Sequence, residues 1–525
     1  MRLKPLKSRM FNVMFHAHTV SGIVISFALF VIFFAGSISL FMNELYRWEN
    51  PEARFESISA DQVDYDKICQ TVKNKIPSFD VTAQFGMTPP TETNPLMLFY
   101  GSMKQPDGSV ERFSTYLNPM TYDMMPPNKP KTHMAHTLYE LHYFEQIPIV
   151  GGYLSGLVAF FFIFAIITGL LIHWKNMVSK FYGFSLKGNW KQIWTNSHIS
   201  LGFIALPFQM IYAITGALLC LSIFLLAPTA FIMFGGDTSK VLKAVNPEAE
   251  YRHNPKASTV SEYASLNSIY RKVRDANPDK EIKYLYATNY TKEDATVSAR
   301  TDDGIGITGD GLFIYSGTDG RLLQSADPRS KTYTTAAFGV LVKLHYANFG
   351  GLLLKTIYFL LSMVTCYIII SGVMIWRTAR DNARYTSRQK KFHHRVTKFY
   401  LAITLSMFPA LAIIFIGNIA VPMDMPDRSE LVNTIFFVGW LLLTIVGLFW
   451  NSYGQQNRNY ILIGSILGII VPLANGLSTG DWLWKTLWSG QRYVYSVDII
   501  WLVTGIFGLI LCKRYLSKGA TDLKL

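Results

Sequence analysis

The chain has 525 residues, of which 50% are hydrophobic and 14% aromatic, and it carries a formal net charge of +14. A charge of this size can indicate nucleic-acid binding, but the basic residues here flank apolar runs, so we assign them to membrane topology and expect no nucleic-acid partner. The four cysteines form no short-spaced pair, which argues against a disulfide framework and a zinc site.

Eight apolar runs predict transmembrane helices, since a bilayer core of about 30 Å needs about 20 helical residues. Their continuous rather than alternating apolarity favours helices over a barrel. The first run is too long for a signal peptide and is followed by Asn43-Glu44, so we interpret it as a retained helix. The predicted spans are Val20–Met42, Ile149–Leu171, Ile199–Leu225, Leu352–Ile375, Phe399–Ile419, Leu431–Trp450, the short Ile461–Leu473 and Val497–Cys512.

Basic clusters at residues 2–9, 175–191, 377–398 and 513–524 fall on one side of these spans if the helices alternate in direction. The positive-inside rule therefore predicts that both termini are cytoplasmic. The predicted divisions are 1–42 (N-terminus and first span), 43–146 (first external module), 147–234 (second and third spans), 235–343 (second external module), 344–376 (fourth span), 377–398 (basic loop), 399–512 (four additional spans) and 513–525 (cytoplasmic tail).

The two external stretches have the same order of elements, a short helix followed by alternating, strand-like sequence. In the first, Tyr65–Ile76 precedes Leu96–Tyr100 and Arg112–Leu117. In the second, Ser265–Ala276 precedes the runs Ile282–Thr288, Ala295–Arg300 and Gly311–Ser316. Each stretch predicts a small α+β module.

An internal repeat relates the first two spans to the third and fourth. His18 and His198 open spans one and three, each followed by glycine after four and after eighteen residues. Leu-His-Tyr at His142 and at His345 precedes spans two and four, and glycine follows each histidine after twenty-seven residues. The pattern predicts a duplicated helix–module–helix unit, and hence a four-helix core.

The repeat sorts four histidines into two layers, His18 with His198 at the cytoplasmic ends and His142 with His345 at the external ends. Facing imidazoles in a helix bundle can hold one haem iron from both sides, an arrangement that favours electron transfer over oxygen activation. Ionisable groups in membrane spans are functional by default. We therefore predict two b-type haems, with these residues as the axial ligands to an inner and an outer iron and with no catalytic acid or base.

Other histidines rank lower because the repeat does not duplicate them. His16 and His173 are second-rank candidates for orienting a ligand, contacting a propionate or relaying protons. His133, His136 and His253 are interpreted as solvated loop residues. His393-His394 is interpreted as part of a solvated face, with contact to an electron donor as the lesser alternative. Zinc transport is the rival interpretation, but carboxylates are scarce in spans one to four.

The motifs His18-x-x-x-Gly22 and His198-x-x-x-Gly202, with Leu-His-Tyr before spans two and four, resemble the PepSY-associated transmembrane family over residues 10–395. Thr115–Tyr122 resembles the strand and turn that close a PepSY module. The resemblance implies a multi-pass protein of the bacterial inner membrane with two periplasmic PepSY-like modules. It also implies a di-haem oxidoreductase that reduces a ferric siderophore or another ferric chelate on the periplasmic side.

The expected fold is thus an all-α polytopic membrane protein of about eight transmembrane helices, with a duplicated haem-binding core and two small α+β modules. The expected partners are the ferric chelate, membrane lipid, and a cytoplasmic reductant or quinol as electron donor. Alternative functions are a membrane-anchored regulator of a peptidase and a transporter of iron or its chelate. The four additional spans contain no histidine and depart from the family pattern, which leaves their role open between a quinone, a partner and lipid.

Overall fold

The computed structural model describes residues 7–127, 134–185, 187–237, 240, 251, 253–254, 256–302, 306–307, 309–327 and 333–517. The chain divides into two compact units. The helical unit comprises the described residues of Met1–Pro51, Thr132–Ser222 and Lys355–Leu525, and the polar unit those of Glu52–Lys131 and Ile223–Leu354. His133 lies outside the described residues.

Most of the chain is helical, as continuous apolar sequence in a membrane requires, because lipid offers the backbone no hydrogen-bond partners. The helices are α1 (Ser8–Ser39), α2 (Met42–Glu49), α3 (Tyr65–Lys75), α4 (Met134–His142), α5 (Gly151–Ile172), α6 (Met177–Phe181), α7 (Trp190–Ile204), α8 (Leu206–Cys220), α9 (Ser222–Phe234), α10 (Leu266–Ala276), α11 (Tyr333–Tyr346), α12 (Gly351–Ala379), α13 (Ser387–Leu405), α14 (Met407–Ala420), α15 (Arg428–Gly447), α16 (Tyr453–Thr479), α17 (Leu483–Trp488) and α18 (Arg492–Ser517).

Among the described residues, seven helical segments are long and apolar enough to cross a membrane, which confirms a multi-pass membrane protein. They are Ser8–Ser39, Gly151–Ile172, Gly351–Ala379, Ser387–Ala420, Arg428–Gly447, Tyr453–Thr479 and Arg492–Arg514.

The predicted third span is not one straight helix. Helices α7 and α8 meet the same criteria only together, and they are bent by 70° at the break between them. Pro207 occupies the first turn of α8, where its missing N–H removes no hydrogen bond that α8 itself needs but prevents α7 from continuing. Counting this bent pair as one span gives the predicted total of eight.

The polar unit contains one seven-stranded antiparallel sheet in the order β3-β2-β1-β4-β5-β6-β7. Its strands are β1 (Phe85–Met87), β2 (Met97–Lys104), β3 (Val110–Leu117), β4 (Ile282–Thr288), β5 (Thr296–Thr301), β6 (Gly311–Ser316) and β7 (Leu322–Ala326).

The two predicted external modules share this sheet. Strand β1 pairs with β4, so that Phe85 lies opposite Ala287 and Met87 opposite Leu285. Buried side chains from α3 and α10 form one hydrophobic core with those of both sets of strands. The sequence predicts two modules, whereas the structure joins them into one compact unit, because each set of strands would otherwise leave an edge unpaired.

The polar unit is also held together where α3 and α10 begin. The rings of Tyr65 and Tyr270 stack with centroids 4.6 Å apart. The side chain of Asn267 donates to Asp64 at 2.7 Å and accepts from the backbone N–H of Tyr65 at 2.7 Å. Asp64 also caps α3 by accepting from the N–H of Lys67. The hydrogen bond from Asn267 lowers the pKa of the Asp64 carboxyl below its usual value.

This depressed pKa predicts an acid-dependent contribution to stability. Because the folded-state pKa lies below the unfolded one, Asp64 stabilises the fold above pH about 4, and that stabilisation is lost as the pH falls. We expect Asp64→Ala to cost about 1 kcal/mol at pH 7, the usual cost of losing such a cap. At pH 3 the difference between the variant and the parent should be smaller than at pH 7. Chemical unfolding of the full chain in detergent at both pH values measures this, and an equal difference at both would contradict it.

The C-terminal helices pack against each other and onto α2 and α4. Asp498 of α18, fully buried, accepts hydrogen bonds from the Trp48 indole N–H at 2.8 Å and from the Asn475 side chain at 2.9 Å. Thr137 of α4 donates to Asn433 of α15. The additional spans are therefore attached by buried polar contacts to the two short helices that follow α1 and precede α5.

Candidate functional site: a pair of facing histidines

The first histidine of the repeat is held by the helix that ends beside it. Nδ1 of His18, in α1, lies 2.8 Å from the carbonyl oxygen of Ala165 in α5. The hydroxyl of Thr168 lies 3.5 Å from the same nitrogen and donates to the Ala165 carbonyl. A carbonyl oxygen can only accept, so in the neutral ring Nδ1 carries the proton and Nε2 keeps its lone pair.

The second copy of the repeat builds the same arrangement. Nδ1 of His198, in α7, lies 2.9 Å from the carbonyl oxygen of Ile368 in α12 and 3.0 Å from the hydroxyl of Ser371. Ile368 follows Ala165 by 203 residues, and Ser371 follows Thr168 by the same offset. This offset also separates His345 from His142. Thus the duplicated sequence yields two histidines with the same tautomer.

The structure brings His18 and His198 together. Their ring centroids are 6.3 Å apart and their planes are inclined by 78°. In the described part of the chain, the Nε2 atoms of both rings make no hydrogen bond. The pair can therefore offer two nitrogen lone pairs to one metal centre, with each ring oriented by the hydrogen bond on its other nitrogen, as metal-ligating histidines usually are.

Four glycines shape the surroundings of this pair. A Cβ atom on Gly169 would lie 3.1 Å from the His18 ring, and one on Gly372 would lie 3.2 Å from the His198 ring. A Cβ on Gly22 or Gly202, one turn beyond each histidine, would meet nothing within 4 Å. The first two glycines let the rings pack against the neighbouring helix, and the other two leave space open beside the pair.

His142, the end of α4, is held in the same way by the far part of α1. Its Nδ1 atom lies 2.7 Å from the carbonyl oxygen of Ile32. A Cβ atom on Gly36, one turn further, would lie 2.4 Å from that nitrogen. The predicted external histidine is therefore fixed at the opposite end of α1 from His18.

His345, the fourth predicted ligand, lies in α11 of the polar unit, whereas His142 belongs to the helical unit. Its ring contacts the ring of Tyr346, with centroids 5.7 Å apart. The pairing of these two residues stays a prediction.

The second-rank histidines lie around the inner pair without joining it. His16 is exposed and contacts Phe15. His173 caps the end of α5; burial, with the nearby Lys180 and His18, lowers its pKa below the usual value. His136, predicted to be a solvated loop residue, is exposed but lies in helix α4, where it pairs with Glu140 at 3.1 Å.

Sequence reasoning identified the histidines but not the groups that orient them. The acceptors are the backbone carbonyls of Ala165 and Ile368. Every residue type has such a carbonyl, so the sequence does not mark these positions. The Thr168-Gly169 and Ser371-Gly372 pairs were visible as repeat markers only. The hydroxyls of Thr168 and Ser371 lie beside the imidazole nitrogens, and the two glycines leave room for the rings.

The close contact at Gly36 gives a prediction about stability. Gly36→Ala would force the His142 ring away from the Ile32 carbonyl, and overpacking of this kind costs about 1–3 kcal/mol, more than the roughly 1 kcal/mol gained in helix propensity. We expect a lower Tm in detergent, followed by intrinsic fluorescence. Gly152→Ala, whose Cβ would meet nothing within 4 Å, is the matched control and should be neutral or slightly stabilising. Equal Tm values for the two variants would contradict the prediction.

Two comparisons with known proteins bear on this site. A family model described as the PepSY-associated TM region matches residues 15–379, a range that contains all four repeat-matched histidines. No curated protein matches the chain. In the described part of the chain, no group of three or more His, Cys, Asp or Glu side chains is arranged to hold a metal ion.

Proposed function

Since the chain belongs to the PepSY-associated transmembrane family, we propose that it is an oxidoreductase that carries electrons across the bacterial inner membrane through two b-type haems. The inner haem would be held by His18 and His198, and the outer one by His142 and His345. The external acceptor would be a ferric siderophore or another ferric chelate, from which the iron would be released as Fe(II). The observation that carries the proposal is the inner pair of facing imidazoles.

The spacing of the inner pair suits axial ligation. Imidazole nitrogens bind metal ions at about 2 Å, so two rings in line on one ion have centroids about 6 Å apart, and the observed separation is 6.3 Å. Both Nδ1 atoms already donate to backbone carbonyls, which fixes the rings and leaves the other nitrogen available.

The number of ligands favours haem over a bare ion. Zinc sites use three or four protein ligands, whereas the inner pair supplies two and is surrounded by apolar helices. A porphyrin supplies the remaining four ligands itself and provides reversible one-electron chemistry when bound. The open space beside Gly22 and Gly202 is where a planar group between the rings would need room.

Residues of the chain would orient the histidine ligands and shield the site from water. Thr168 and Ser371 support the hydrogen bonds that set ligand basicity, and the packed helices exclude water. Orientation follows from the basic residues 377–398 and the other basic clusters, which support cytoplasmic termini. Electrons would thus enter near His18 and leave near His142 and His345.

Absorption spectroscopy of the purified full-length protein tests the proposal. We expect a Soret band, a redox-sensitive α-band and two non-covalent haems per chain. After reduction, a ferric trihydroxamate should reoxidise the haem and release Fe(II), while the redox-inert gallium(III) trihydroxamate should not. A colourless protein would exclude the haem proposal and favour the regulator of a peptidase. A red protein that no ferric chelate reoxidises would exclude ferric chelates as acceptors.

A further inference from the structure

A second polar site lies on α13, the helix that follows the basic loop. His393, Thr397 and Tyr400 are spaced by four and three residues, so they share one face of the helix. Nδ1 of His393, the Thr397 hydroxyl and the Tyr400 hydroxyl are all buried without a hydrogen-bond partner in the described part of the chain. Such groups normally have a hydrogen-bond partner in the protein, in an ordered water or in a ligand.

Aromatic rings enclose the outer end of this face. The His393 ring lies edge-on to Trp376 and to Tyr385, with centroids 5.1 and 5.4 Å away. The next histidine is used differently: Nδ1 of His394 is hydrogen-bonded to the Tyr453 hydroxyl at 2.7 Å. Thr397 also lies beside Tyr453, whose hydroxyl oxygen can accept from the Thr397 hydroxyl while it contacts His394. The His393 Nδ1 atom and the Tyr400 hydroxyl have no hydrogen-bond partner in the described part of the chain.

Three of the positive charges near the site are engaged in other contacts. Arg377 pairs with Asp381 at 3.1 Å, and Lys390 approaches the same carboxylate at 3.6 Å. The Arg380 guanidinium stacks over the Trp376 ring at 4.6 Å. The polar atoms of the site itself are an imidazole nitrogen and two hydroxyls, which suit the oxygen atoms of an uncharged ligand.

Helix α12 connects this site to the inner histidine pair. Ile368, whose carbonyl orients His198, lies two residues from Cys366, which lies beside Tyr400. Trp376, on the last two turns of α12, contacts His393. The inner histidine pair and the unpaired face of α13 are thus separated by one helix.

An exposed apolar surface lies next to the site on the same helix. Neighbouring positions on α13 carry exposed apolar side chains, Phe392, Val396 and Phe399. A ligand dissolved in the bilayer can approach along them without crossing water. An aromatic ring bearing two oxygen atoms matches the aromatic walls and the polar atoms that the site offers.

We propose that the face formed by His393, Thr397 and Tyr400 binds the head group of a membrane quinol or quinone. This inference rests on the proposed function only for the fate of the electrons. A quinol bound here would give two electrons, one at a time, to two ferric haem irons. It would release two protons, of which the His393 imidazole could accept one at a time and pass each to water before the next is released.

Equilibrium binding of decylubiquinone to the full-length protein in phosphatidylcholine nanodiscs tests the inference. We expect saturable binding that His393→Ala and Tyr400→Phe each weaken by at least tenfold. The second variant removes a single buried hydroxyl and preserves the ring, so it keeps the test valid if the first variant does not fold. Tyr460→Phe is the matched control, because that buried hydroxyl is already bonded to the Leu443 carbonyl at 2.9 Å, and its affinity should equal that of the parent.

Three outcomes would overturn the inference: no saturable binding, binding that both variants leave unchanged, or co-purification of phospholipid in place of quinone that His393→Ala abolishes. Haem content, measured on the same samples from the Soret band, separates the two proposals. Haem without quinone binding refutes this site alone. Quinone binding without haem supports the site and refutes the proposed electron transfer.

Discussion

Replacing His198 with alanine is expected to remove one of the two proposed haems and to leave the fold intact. The variant would lack one of the two imidazoles proposed to hold the inner haem, and His18 alone would provide a single bond to it. The protein around it should tolerate the change, since the Ser371 hydroxyl already donates to the Ile368 carbonyl at 2.8 Å. Loss of the hydrogen bond to the imidazole then costs only about 1 kcal/mol.

The measurement is the amount of haem per chain, together with the reduced-minus-oxidised spectrum. About half of the α-band should disappear, and the remaining half should be unchanged in position. Added imidazole should refill the space and restore part of the lost absorbance. His16→Ala is the control, because that residue is exposed and not duplicated, and it should keep both haems. Full haem content in the His198 variant would rule out the assigned ligand.

Asp498→Ala is expected to have the largest effect on stability. It would remove the buried carboxylate that accepts from the Trp48 indole N–H and from the Asn475 side chain. Losing two hydrogen bonds to a charged group, at about 1.5–3 kcal/mol each, should cost the variant about 3–6 kcal/mol. The same change at the exposed Asp424 should stay within about 0.5 kcal/mol.

Thermal unfolding in detergent, followed by tryptophan fluorescence, measures this difference. Because Trp48 belongs to α2, and α2 packs on the helix that carries His142, the haem proposed at His142 should be lost before the one proposed at His18 as the variant is heated. If Asp498→Ala has the Tm of the parent, the buried contact does not hold the additional spans in place.

The spans were predictable because a bilayer demands one property, continuous apolarity, that local sequence displays directly. The residues at which these helices begin and end were not predictable in this way. Helix α1 begins at Ser8 rather than Val20, since the helix continues past the apolar run into polar sequence. The short seventh run is the middle of Tyr453–Thr479, whose polar start packs inside the protein: Gln456 is fully buried and donates to the carbonyls of Lys398 and Gly447.

The bounds of the strands were also predictable only in part. The runs Ile282–Thr288 and Gly311–Ser316 were predicted with their observed bounds. Strand β1 has three residues, too few for alternation to appear, and it exists because two neighbours flank it. In the site, the repeat singled out His18 and His198, which the structure brings together. It could not reveal the carbonyl acceptors or the unpaired face of α13, which depend on packing between distant helices.

The pairing of β1 with β4 has a consequence for how the protein is made. Residues near 85 leave the ribosome almost 200 residues before those near 285, and two further spans must be inserted between them. Until β4 arrives, one side of Phe85–Met87 is an open edge that can pair with other chains. Translation that stalls between these strands should therefore yield a fragment prone to aggregation and proteolysis, and a chaperone that covers sheet edges would protect it.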